Sequence, residues 1–204
     1  MNDYDENSYE ARVLSTPIEN LNLRLRGILR DRSYTIANPF DLQQGALSLH
    51  ADYYPSSNMR LYAEGALDRY DYLAEPMTFD RSTVRGGCVY TFPGASSVGA
   101  EFRFTQQSFD EAKDRDYDLG EFTASYNKYW TNFRLRAQAG IAELSQPTAN
   151  STNIYTQSKF AFDLTWFASP NVRLSIGSDF LDRNYDNQPD VTDWLGYLRL
   201  AFNF

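Results

Sequence analysis

The chain has 204 residues, with 27 acidic against 19 basic side chains, a formal charge of -8, one cysteine and one histidine. That length suits one domain or a piece of a larger one; the acid excess argues against nucleic acid, whose phosphates need clustered Lys and Arg; and a lone cysteine excludes an intrachain disulfide framework or a Cys-rich metal centre. No run of about 18 apolar residues offers a membrane-spanning helix, and residues 1–7 lack the basic and apolar regions of a signal peptide. A mean hydropathy of -0.55 fits a soluble acidic protein, yet 15 Tyr, 14 Phe and 3 Trp fit it poorly.

The chain order of apolar residues has a period of two, hence strands rather than helices. A first strand is expected over residues 9–15. In the second, Leu21, Leu23, Leu25, Gly27 and Leu29 oppose Asn22, Arg24, Arg26 and Arg30. A third spans 45–54, and in the fourth Met59, Leu61, Ala63, Gly65 and Leu67 oppose Arg60, Tyr62, Glu64 and Asp68. After a fifth at 83–92, Val98, Ala100, Phe102 and Phe104 oppose Glu101, Arg103 and Thr105. A seventh covers 119–130; then Phe133, Leu135, Ala137, Ala139 and Ile141 oppose Arg134, Arg136, Gln138 and Gly140. Phe160, Phe162, Leu164 and Trp166 oppose Lys159, Ala161, Asp163 and Thr165, and Val172, Leu174, Ile176 and Phe180 oppose Arg173, Ser175, Gly177, Asp179 and Arg183. The last strand sets Trp194, Gly196, Leu198, Leu200, Phe202 and Phe204 against Asp193, Leu195, Tyr197, Arg199, Ala201 and Asn203.

These eleven segments form a repeat. Strands beginning at Leu21, Met59, Val98, Phe133 and Val172 start 38, 39, 35 and 39 residues apart, each after a short turn (16–20, 55–58, 93–97, 131–132, 169–171). The opposite ends carry long polar loops at 31–44, 69–82, 108–118, 145–158 and 182–192. Short turns on one side and long loops on the other, joined by strands of about ten residues, describe an antiparallel up-and-down transmembrane β-barrel with 10–12 strands over residues 1–204. Tyr53, Tyr54, Tyr90, Phe92, Tyr129, Trp130, Trp166 and Phe167 stand beside the turns; Tyr34, Tyr70, Tyr72, Phe109, Phe180, Tyr185 and Trp194 stand near the loops, as two interfacial belts. A soluble β-sandwich would alternate too and is the second reading. In a barrel the apolar parity meets lipid, while Arg24, Arg26, Arg60, Glu64, Glu101, Arg103, Glu121, Arg134, Arg136, Asp163, Arg173, Asp179 and Arg199 line the lumen.

The terminal Phe202-Asn203-Phe204, with Tyr197 upstream, resembles the C-terminal signal that bacterial outer-membrane barrels present to the barrel assembly machinery, although the usual glycine is displaced to Gly196. The segments 16–26 and 47–61, and the Asp-Arg-x-Tyr units Asp31-Arg32-Ser33-Tyr34, Asp114-Arg115-Asp116-Tyr117 and Asp182-Arg183-Asn184-Tyr185, are similar to tandem hairpins of MtrB/PioB-type barrels. That resemblance implies the bacterial outer membrane, contact with its lipid and lipopolysaccharide, and as one option a sheath around a multihaem cytochrome. The cysteine pair of some such proteins has no counterpart here. With a periplasmic C-terminus, eleven strands begin outside the cell, so the expectation is the C-terminal part of a larger barrel, the alternative being a complete ring with one strand uncounted.

Little in the sequence demands chemistry, and neither a catalytic residue nor a metal or cofactor is expected. His50 lies on the lumen parity near the periplasmic end with no second histidine, and reads as structural or pore-lining. Cys88 shares the apolar parity with Val84, Gly86 and Tyr90. The loop 114–120 has alternate carboxylates but departs from the EF-hand pattern at Leu119 and Ser125, and Asp182, Asn184 and Asp186 allow an equally weak calcium suggestion. Asn150-Ser151-Thr152 matches a glycosylation sequon without weight in a bacterial chain. The expected function is a porin-like conduit for small hydrophilic solutes or ions, with a sheath for a cytochrome or an exported polymer, or a loop-mediated surface binder, as alternatives.

Overall fold

The computed structural model describes residues 4–34, 41–72, 78–146, 154–186 and 188–202. Alternation over that length yields eleven strands: β1 (Tyr4–Ile18), β2 (Leu21–Tyr34), β3 (Leu42–Ser56), β4 (Met59–Tyr72), β5 (Phe79–Phe92), β6 (Ser96–Phe109), β7 (Tyr117–Tyr129), β8 (Phe133–Ser145), β9 (Tyr155–Ser169), β10 (Val172–Tyr185) and β11 (Val191–Phe202). Each pairs antiparallel with its sequence neighbours in one eleven-stranded sheet of order β1 to β11. A 3-10 turn, Lys113–Arg115, interrupts the β6–β7 connection. Among the described residues β1 and β11 make no contact with each other.

The strands run 12 to 15 residues, longer than the ten expected, and they take up much of what the sequence assigned to loops. The reason is that the ladder outlasts the apolar pattern. Asp31 pairs with Gln43 and Arg32 with Leu42 on β2–β3, and Asp80 opposes both Arg69 and Ser108. Backbone groups stay satisfied there whatever the side chains are. At the other end the turns are tight. Asn20 takes φ 66° between β1 and β2, and Gly94 and Ala95 take φ 88° and 58° between β5 and β6, left-handed conformations that Asn and Gly tolerate best.

Register sorts every strand into two unlike faces. One carries Leu25, Leu47, Leu67, Val84, Phe102, Phe122, Ile141, Phe160, Ile176 and Leu198, all exposed, and no second layer covers them. Only Leu42, Ala112 and Ala142 count as buried hydrophobic residues among those described. The sandwich reading fails here, because a sandwich buries its apolar face against another sheet. The polar face is the more covered one: on β4, Tyr62, Glu64, Ala66, Asp68 and Tyr70 are half-buried while Ala63, Gly65, Leu67 and Arg69 between them are exposed. A flat sheet would expose both faces alike, so the sheet curls around its charged side. Added Cβ atoms at outer-face Gly27, Gly65, Gly120 and Gly196 would meet nothing within 4 Å, whereas Gly87, Gly99, Gly140 and Gly177 on the inner face are crowded.

An apolar exterior, a charged interior and alternate short turns define an outer-membrane barrel wall. On β4 the apolar outer positions from Met59 to Leu67 cover roughly 26 Å along the strand at ~3.3 Å per residue, which at a tilt of ~35–45° makes about 20 Å of height within the ~25 Å apolar band. The band stops at an outward charge cluster, where Arg69 meets Asp71 at 2.9 Å, Asp80 at 3.1 Å and Asp110 at 2.8 Å. Tyr53, Tyr90, Phe92 and Trp166 mark the turn-side rim on the outer face, all exposed, and Phe180 and Trp194 mark the loop side. The expected loop-side belt needs correction. Tyr70, Tyr72, Phe109 and Tyr185 fall on the inner parity, and the side chain of Tyr34 lies outside the described residues.

Replacing outer-face Phe122 at mid-strand by Arg should lower unfolding stability by about 2–4 kcal/mol, because the charge would sit at the bilayer midplane. Denaturant titration of protein folded into lipid vesicles measures this, and an unchanged midpoint would mean that this face meets water.

Candidate functional site

The inner face carries three networks of charge, each built from residues that the ladder sets directly opposite or one row apart. Near β1, Glu10 accepts from Arg12 and Arg26 at 2.5 Å each, and Glu6 holds Arg32 at 2.7 Å and Arg30 at 3.5 Å. In the centre, Asp52 receives Arg60 at 2.6 Å and lies 2.9 Å from His50 Nε2. Glu64 lies 3.1 Å from His50 Nδ1 and receives Arg85 at 2.5 Å. The imidazole is thus wedged between two carboxylates on adjacent strands, which spends both ring nitrogens on the wall itself and supports the structural role expected of it.

The network continues across β5 by a steric device. Tyr62 on β4 donates to Glu101 on β6 at 2.7 Å, passing over Gly87 on β5, where an added Cβ would stand 2.6 Å from the phenol oxygen. Glu101 then meets Arg103 at 3.3 Å, and Arg103 meets Glu121 at 3.5 Å. The device recurs twice. Lys159 on β9 reaches Glu121 on β7 at 3.6 Å over Gly140, and Tyr197 on β11 donates to Asp163 on β9 at 3.2 Å over Gly177. An inner-face glycine is a notch through which a long polar side chain bridges second-neighbour strands.

The third network differs in composition. Asp163 accepts from Thr165 at 2.8 Å and from Tyr197, and lies 3.7 Å from Arg134. Thr165, only 1% exposed, also lies 2.9 Å from Ser175. Around this one carboxylate stand Arg134, Arg136, Arg173 and Arg199. Toward the loops the inner face turns aromatic. Phe79 stacks at 4.7 Å on Tyr70 and lies 5.2 Å from Phe109, with Arg81 over both Tyr70 (5.1 Å) and Phe79 (5.3 Å). Arg183 similarly lies 4.5 Å over Tyr155 and binds Gln157.

The thirteen charged residues assigned to the lumen from the sequence share this inner face, and register brings them into adjoining rows. Among the described residues Arg24 faces His50 without an ion pair, and Asp179 likewise forms none. Sequence reading placed Tyr62 and Lys159 on the polar parity without naming them among the lumen residues, and left Asp52 and Arg85 unassigned. Parity alone would have added Arg85; the Tyr62 bridge needed the register. Of the terminal aromatic set, Tyr197 faces inward, Phe202 outward, and Phe204 lies outside the described residues. The carboxylates of 114–120 do not converge: Asp116 accepts from the Phe109 N–H at 2.7 Å and so closes the β6–β7 connection, and Asp182 accepts from Thr192 at 2.7 Å. No group of three or more metal-ligating side chains occurs among the described residues. Cys88 lies on the outer parity, as expected, and residues 150–152 lie outside the described residues.

No protein-family model and no curated protein matches the sequence. Solved structures do match in fold. The siderophore receptor PirA from Acinetobacter baumannii superposes over 99% of this chain and 39% of its own, with TM-score 0.69 and 9% identity. A loop-deletion form of OmpT, an outer membrane protein of Vibrio cholerae, superposes over 98% and 63%, with TM-score 0.62 and 10% identity. An anion-selective porin from Comamonas acidovorans superposes over 96% and 56%, with TM-score 0.59 and 10% identity. The chain therefore spans less than two thirds of each, and the fold is that of bacterial outer-membrane β-barrels, whose place is the outer membrane.

Gly87→Val should cost about 1–3 kcal/mol by driving the Tyr62 phenol off Glu101, whereas Gly65→Val on the open outer face of the neighbouring strand should cost nothing measurable. Unfolding midpoints of the two variants in detergent or vesicles compare them directly.

Proposed function

We propose that this chain is a wall of a porin-like conduit that passes small hydrophilic solutes or ions across the bacterial outer membrane. The observation that carries the reading is the inversion of faces: a bare apolar exterior against a curled interior carrying rows of Arg, Glu and Asp. Charges of both signs keep such an interior wetted, and their pairing fixes the side chains against the wall instead of across the lumen. The named porin, receptor and OmpT lend the fold, and the porin lends an activity of the same kind.

The interior residues named above line the lumen in this reading. The unjoined edges of β1 and β11 support a wider ring in which further strands complete the closure, since a lipid-exposed sheet edge leaves peptide groups unsatisfied. The chain is then one portion of that ring. The sheath around a multihaem cytochrome gains no specific observation here.

Native protein purified from outer membranes and added to planar bilayers should give stepwise ohmic conductance with modest ion preference. Stable insertion without any conductance would remove the conduit reading.

A further inference from the structure

The inner-face charges are not evenly spent. From β1 to β7, Arg12, Arg26, Arg30, Arg32, Arg60, Arg85 and Arg103 each meet a carboxylate within 3.5 Å, and Arg81 lies over aromatic rings; Arg24 is the exception. At the turn-side end of β8–β11 the balance reverses. Register sets Arg136, Asp163, Gly177 and Tyr197 in one row across the four strands, and Arg134, Thr165, Ser175 and Arg199 in the next, with Arg173 one row further toward the turns. The four arginines, Asp163, Ser175 and Tyr197 line a cavity of about 450 Å³, within the ~300–1,000 Å³ range of small-molecule sites.

Among the described residues Asp163 is the only carboxylate lining that cavity, and it is already engaged by Thr165, Tyr197 and Arg134. Among the described residues Arg136, Arg173 and Arg199 form no ion pair. Arg134 keeps a buried Nε without any hydrogen-bond partner, as do Arg30 and Arg81 in the other half of the sheet, so what sets this end apart is its surplus of guanidinium groups over carboxylate. Arg199 is steadied over the Tyr197 ring at 5.6 Å, which fixes one guanidinium plane on the wall.

We propose that this end of the inner face is a binding site for small oxyanions, solutes bearing phosphate or carboxylate groups, held by Arg134, Arg136, Arg173 and Arg199. Guanidinium forks match both groups in bidentate geometry, and several converging forks favour multiply charged anions over chloride. The site rests on the reading of the inner face as a wetted lumen, but its binding does not require an open channel. Gly177 has the further consequence of letting Tyr197 lie flat toward Asp163, which keeps that carboxylate turned to the wall and away from an incoming anion.

The test is thermal unfolding of the native protein in detergent, with inorganic phosphate or citrate compared with chloride at equal ionic strength. At several times Kd, either probe should raise the unfolding midpoint by about 2–4 °C. The double variant Arg173→Gln/Arg199→Gln should lose that shift, and both positions are exposed and unpaired, so the variant should fold. Arg24→Gln, which removes the same charge from the opposite part of the sheet, should retain the shift. No rise with either probe, or a full rise in the double variant, would overturn the site. A rise with one probe alone supports it and identifies the group recognised. Bilayer conductance, read separately, decides the conduit, so either reading can fail without the other.

Discussion

A peptide group inside hydrocarbon has no water to bond, so a strand there must be paired along both edges or not be there at all. That requirement organises this molecule more than any side-chain contact. It makes the sheet one continuous ladder from β1 to β11, with sequence neighbours as spatial neighbours throughout. It also removes the need for a core. A soluble sheet gains stability by pressing its apolar face against a second layer; here lipid takes that layer's place. The ladder continues past the membrane boundary, since backbone pairing persists where Asp31, Arg32 and Gln43 replace leucines.

The ladder frees the inner face for polar residues and also sets how they interact. Opposed residues on neighbouring strands lie about 5 Å apart, within reach of direct ion pairs, so Glu64 finds both His50 and Arg85 beside it. Second-neighbour strands are about twice as far away, and only a long side chain crossing an empty position can join them. Gly87, Gly140 and Gly177 provide those empty positions. Pairs this exposed contribute little stability individually. Their effect is geometric: they hold long side chains against the wall and so shape the space the wall encloses.

Much of this was legible in the sequence because a period of two is a local signal. Which residues share a face follows from odd and even numbers, and the inner position of Arg24, Glu101 or Arg199 needs nothing more. Strand ends were not legible for the complementary reason. Beyond the apolar band both faces are wet, so alternation carries no information although the ladder persists. The loop-side aromatics show a different failure. Tyr70 has the parity of Glu64 and Asp68, which places it inside, yet a tyrosine near a membrane boundary suits an interfacial belt equally well by chemistry. There, parity is the better guide. The glycine notches and the orphaned Arg134 Nε depend on which strands lie side by side, and no one-dimensional pattern contains that.

The same constraint explains why the charge imbalance of β8–β11 can exist without harm to the fold. In a buried core, three unpaired guanidinium groups beside a single engaged carboxylate would cost several kcal/mol each in lost solvation. On a curled sheet whose interior is wet, they keep their hydration, and the ladder beneath them holds whether or not they are neutralised. Composition on this face is therefore free of the packing rules that govern a core. The pairing of most inner-face arginines from β1 to β7 and the surplus of Arg136, Arg173 and Arg199 in β8–β11 are differences that stability does not impose. The two halves of the wall present different surfaces to anything between them, one self-neutralised and stiffened, the other carrying positive charge with its donors open.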